Sequence, residues 1–158
     1  MLTLLLISAK WVGLSGIVVA GVFGFFRAEA TSPVTHSLIG LIFTFLFSLS
    51  QVMTVYYFVG MRTAIESICR ARGLDDDIPK QARALVRDVV GRGVLLAILA
   101  TVTLIAAGVG WIGRIPFWIH PVLAGVIVAL GVRAGIVEYR AFVRNAAIFE
   151  RVTGQRRV

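Results

Sequence analysis

Two histidines, His36 and His120, are the only imidazoles in the chain, and imidazole is the side chain that most readily ligates haem iron or a transition metal. His36 opens the apolar run THSLIGLIFTFLFSLSQVMTVYYFVG, and His120 stands in FWIHP at the head of another. Two imidazoles from different helices of a bundle could bind one haem b axially or supply half of a metal site. Below His36, at helical spacing, come Gly40, Phe43, Phe47 and Gln51, a wall that would suit a flat apolar cofactor or a quinone. Gln51 lies among Ser48, Ser50 and Thr54, where an unpaired amide or hydroxyl in an apolar setting is costly.

Each signal has a plainer counterpart. An amphipathic imidazole is comfortable at a membrane head-group level without any metal. His120 also precedes Pro121, which disfavours helical backbone at the histidine. With no second pair of histidines, a two-haem path across a bilayer does not fit in one chain. Ser and Thr hydroxyls in helices commonly bond back to their own carbonyls, and a buried amide commonly bonds to a neighbouring helix. The primary expectation is therefore no cofactor, no metal and no catalytic residues. The alternative is haem b or quinone at His36, His120 and Gln51.

The remaining reactive residues point the same way. Cys69 is the sole cysteine, so it forms no internal disulfide, and it reads as a small apolar residue. Lys10 lies inside an apolar run, close enough to one end for its stem to reach head groups, with Trp11 beside it as an interfacial anchor. Arg133 is placed near the inner interface, directed toward Glu138, and no ionisable residue falls at the centre of a span. Phosphate-binding glycine loops, zinc-ligand spacings and nucleophile elbows are absent from the sequence, which argues against an enzyme.

The elements that must position these residues are set by hydropathy. Over 158 residues, 58% are hydrophobic and 15% charged, with a mean hydropathy of +0.90. A water-soluble domain of this size cannot hide so much apolar surface, so the expected class is an all-α integral membrane four-helix bundle forming one domain. Crossing a bilayer takes about 20 helical residues. Four stretches qualify, at about Leu2 to Phe26, Thr35 to Gly60, Gly93 to Gly113 and Phe117 to Val137. Phe23, Phe25 and Phe26 stand where small cleavage-site residues would be needed, so the first stretch is read as a retained span.

Charge fixes the expected orientation. Seven basic residues lie between Arg62 and Arg92, and six from Arg133 onward. Four spans bring both segments to one side, which the positive-inside rule makes cytoplasmic, with both termini inside. The opposite loops carry only Arg27, Glu29 and Arg114. Helical patterning continues past the apolar runs. MRTAIESICRARG places Glu66 four residues from Arg62 and from Arg70, with Gly73 as the stop. Asp77 is a candidate N-cap and Pro79 a first-turn residue. Helices 2, 3 and 4 should thus extend into the cytoplasm at about residues 61–92 and 138–153, burying Ile65, Ile68, Leu85, Val89 and Phe149 between them.

Small residues offer close helix crossings: Gly13, Gly16, Ala20 and Gly24 on the first helix, Ala106 and Gly110 on the third, and Gly125, Ala129, Gly131 and Gly135 on the fourth. The basic residues flank the spans and are interleaved with acids, so anionic lipid head groups rather than nucleic acid are the expected partners. Other membrane subunits, or a second copy, complete the list. The first function expected is an accessory or scaffold subunit of a larger bacterial inner-membrane complex, with energy-transducing assemblies among the candidates. The second is a small electron-transfer subunit carrying one haem or contacting quinone.

Overall fold

The apolar runs become four helices in a computed structural model that describes residues 2–26, 33–111, 116 and 118–154. They are α1 (Leu2–Phe26), α2 (Pro33–Arg72), α3 (Asp77–Trp111) and α4 (Ile119–Thr153), and no strand occurs among the described residues. The fold is all-α. Helices α1, α2 and α4 are each long and apolar enough to cross a membrane. The remaining stretch, Gly93 to Gly113, lies in α3, and its outer end falls outside the described residues, as do the loop charges Arg27, Glu29 and Arg114.

Neighbouring helices run antiparallel. Gly13 meets Phe47 and Gly16 meets Phe43 across α1 and α2, Gly93 meets Val55 across α3 and α2, and Leu14 meets Gly131 across α1 and α4. Consequently α2 and α4 are parallel and diagonal. Their offset is constant along much of the pair: Phe47 lies against Gly131, and the Phe58 and Phe142 rings sit 4.9 Å apart. Both pairs differ by 84 in residue number.

Three apolar clusters stack along the bundle. Leu14, Ile17, Phe47, Leu96, Ala100, Ile127 and Ala134 form the first; Leu6, Phe58, Val89, Ala141 and Phe142 form the second. Ile65, Cys69, Ala82, Ile148 and Val152 form the third, where α1 has ended and only α2, α3 and α4 remain. Ile65 and Val89 are buried, whereas Ile68, Leu85 and Phe149 are half-buried beside them. Cys69 is 2% exposed, a small apolar residue of that third cluster.

Ion pairs and caps finish this three-helix end. Glu66 accepts from Arg62 on its own helix at 2.9 Å and from Arg83 on α3 at 2.7 Å. Arg72 donates to the Val152 carbonyl at 2.8 Å, tying the end of α2 to α4. Gly73 ends α2 at φ 61°, the left-handed residue of a cap in which the Leu74 amide donates to the Cys69 carbonyl at 3.0 Å. At the start of α3 the roles differ from expectation. The Asp75 carboxylate accepts from the Asp77 amide, while Asp77 already lies within the helix and pairs with Lys80 at 3.2 Å.

Glycine determines how closely α1 approaches its neighbours. A Cβ added at Gly13 would stand 2.8 Å from the Phe47 nitrogen and 2.9 Å from its Cα. One added at Gly131 would stand 2.8 Å from Leu14, and one at Gly135 3.2 Å from the Trp11 indole. The GxxxG pair of α4 is therefore a crossing within the chain. Gly125 meets nothing within 4 Å and Ala129 is exposed, so that stretch of α4 makes no such crossing, while Gly24 and Gly110 lie outside the described surroundings. Gly13→Ala is expected to lower stability in detergent by about 1–3 kcal/mol, because the clash is with backbone. Gly21→Ala, which meets nothing within 4 Å, should be neutral or stabilising by up to about 1 kcal/mol. Paired thermal melts of the two variants decide it, and equal melting temperatures would refute the close crossing.

Candidate functional site

Lys10 does not reach outward to head groups. It is 3% exposed and forms an ion pair with Glu138 of α4, itself 3% exposed. Sequence patterning aims Arg133 at Glu138, but Arg133 is exposed and the cation beside the carboxylate comes from α1. The reason is geometric: antiparallel packing through Leu14 and Gly131 brings Lys10 opposite Glu138, which supplies its counter-charge.

Gln51, fully buried on α2, completes a triad. In the amide orientation that satisfies both neighbours, its nitrogen donates to Glu138 Oε1 at 3.1 Å and its oxygen accepts from Lys10 Nζ at 3.2 Å. Gly93 on α3 faces the same amide: a Cβ there would stand 3.6 Å from it. All four helices thus meet at this level. Arg92, Arg133 and Arg140 are exposed nearby along α3 and α4, which puts the triad toward one end of the apolar belt.

The other polar groups of α2 turn inward on their own helix. Ser50 donates to the Phe47 carbonyl at 2.6 Å and Thr54 to the Ser50 carbonyl at 2.8 Å. On α3, Thr103 likewise donates to Leu99 at 2.8 Å. Asn145 of α4 is 2% exposed, and its Nδ2 has no hydrogen-bond partner among the described residues.

The histidines lie at the other end of the bundle, on the first turns of α2 and α4. Both are half-buried. They differ by 84 in number, the offset that holds at Phe47–Gly131 and Phe58–Phe142. Gln51, fifteen residues beyond His36, is about 22 Å farther along α2. The three candidate cofactor residues are therefore divided: His36 and His120 occupy matching positions on α2 and α4, and Gln51 belongs to the triad.

Part of the wall expected for a flat cofactor is occupied by protein. Phe47 is 0% exposed against Gly13 and Gly131, and Phe43 lies over Gly16. Surface concavities open between neighbouring helices. One of about 490 Å³ opens between α2 and α3 along Val52, Val55, Tyr56, Gly93, Ala97 and Ile98. Another of about 400 Å³ opens between α1 and α2 around Trp11, Ser15 and Phe43. Among the described residues, no cluster of three or more His, Cys, Asp or Glu could hold a metal ion. No family model, curated protein or solved structure matches this chain.

Sequence reasoning missed the triad because its members lie on three helices, and each has an ordinary explanation on its own helix. The available signal was charge complementarity: Lys10 and Glu138 are opposite charges within, or bordering, apolar runs. A buried pair is costly to break and often nearly neutral to remove whole. Lys10→Met and Glu138→Leu should each destabilise by about 3–5 kcal/mol, and the double variant by less than either single one. A double-mutant cycle on detergent melts reads this, and additive losses would show that the two charges are not coupled.

Proposed function

We propose that the chain is an integral membrane protein of the bacterial cytoplasmic membrane that serves as an accessory or scaffold subunit of a larger assembly. The observation that carries this reading is how the chain disposes of polarity and space. Charges drawn into the apolar belt neutralise one another at Lys10 and Glu138, and the aromatic interior is filled around Phe47. The concavities between helices open outward with apolar linings. Exposed Leu41, Phe45, Leu95, Ile98 and Val126 present a surface that suits lipid tails and neighbouring helices.

In this reading four helices cross the bilayer. α2, α3 and α4 project beyond α1 into the cytosol, and both termini are cytoplasmic. The Glu66, Arg62 and Arg83 cluster and the Arg72 bond then stiffen a cytoplasmic stalk. Its remaining arginines face anionic head groups, each worth on the order of 1 kcal/mol near the surface.

Two measurements test the proposal. Reporter fusions after Gly73 and after Val158 should both read cytoplasmic, and one inserted at Ser32 external; opposite readings at Gly73 and Val158 would refute the four-span topology. Native mass spectrometry of gently solubilised source membranes should find the chain in fixed stoichiometry with other membrane subunits. A chain recovered only as itself would exclude an accessory role.

A further inference from the structure

We propose that His36 and His120 form a binding site for one borderline transition-metal ion, of the class of Zn²⁺, at the end of the bundle opposite the triad. Two observations lead there. First, the parallel α2 and α4 place the imidazoles at matching positions, as the common offset of 84 shows. Second, Nδ1 of His36 and Nδ1 of His120 are both buried and have no hydrogen-bond partner among the described residues.

These are the features of a ligand pair rather than of two solvated histidines. A ring nitrogen without a proton is a Lewis base, and burying its lone pair without a donor is unfavourable. One such nitrogen is a local defect, whereas two on facing helices can be satisfied together by one cation. Neutral imidazole suits Zn²⁺ and its neighbours, and two protein nitrogens leave positions for water or an incoming ligand. A tetrapyrrole fits less well, because Phe43 and Phe47 below His36 already pack against Gly16 and Gly13. The site does not depend on the scaffold role, since it uses neither the triad nor the outer concavities.

The test uses the full chain purified in detergent without a histidine tag, with Zn²⁺ and Co²⁺ as probes. One equivalent of either ion should bind saturably, and Co²⁺ should develop visible d–d bands of nitrogen ligation. His36→Ala and His120→Ala should each weaken binding about tenfold or more, while Cys69→Ala leaves it unchanged. Should either histidine variant fail to fold, the native chain still decides. One equivalent of Zn²⁺ should slow diethyl pyrocarbonate modification of both histidines together, read peptide by peptide. Non-saturable binding, unchanged affinity in a folded histidine variant, protection of only one histidine, or a Soret band in the purified protein would overturn the proposal.

Discussion

An ammonium and a carboxylate can leave water only together, and this constraint organises the bundle. Removing either from Lys10 and Glu138 would strand a charge in an interior that is 3% exposed at both residues, at a cost of several kcal/mol. The pair does not close on itself. Gln51 takes a carboxylate oxygen with its nitrogen and the ammonium with its oxygen, so that α1, α2 and α4 share one polar junction. Apolar packing alone discriminates poorly between registers, since burial of apolar surface is non-directional. A junction of three directional groups discriminates sharply, and it is the feature that makes one register of these helices better than its neighbours.

The glycines act with the junction. Gly13, Gly16, Gly131 and Gly135 let α1 sit close enough to α2 and α4 for Lys10 to reach both partners without extending to solvent. Larger residues at these positions would hold the backbones apart, and the ammonium would then be desolvated with its partners too distant to compensate. Close packing and charge pairing are therefore a single requirement. The bulk of Phe47, seated between Gly13 and Gly131, fills the space that such an approach leaves.

What the sequence made legible was whatever one helix can express by itself. Four helices and the continuation of α2 to a glycine stop follow from local hydropathy and capping chemistry, and the structure reproduces them, whereas the cap of α3 falls to Asp75 rather than to the expected Asp77. The small residues could be named but not paired, because GxxxG looks alike whether the partner helix is in the same chain or another. Lys10 was misjudged for a related reason. Snorkelling is the cheapest fate for a lysine considered on one helix, and only the fold reveals that a carboxylate far along the chain offers a cheaper one. Arg133 was assigned to Glu138 on nearness in sequence, yet residues five apart on a helix face different directions.

The same register argument connects the two ends of the molecule. α2 and α4 are continuous helices, so a slip of one residue at the triad would carry through as about 1.5 Å of translation and about 100° of rotation along their length. At the far end such a slip would turn one imidazole away from the other and remove their correspondence. The alignment of His36 with His120 is thus a consequence of the polar junction, transmitted through the seating of Phe47 against Gly131. A chain that fixes its register so strongly at one end can hold two side chains of different helices in a constant relation at the other, and two ligands converging on one ion require that constancy.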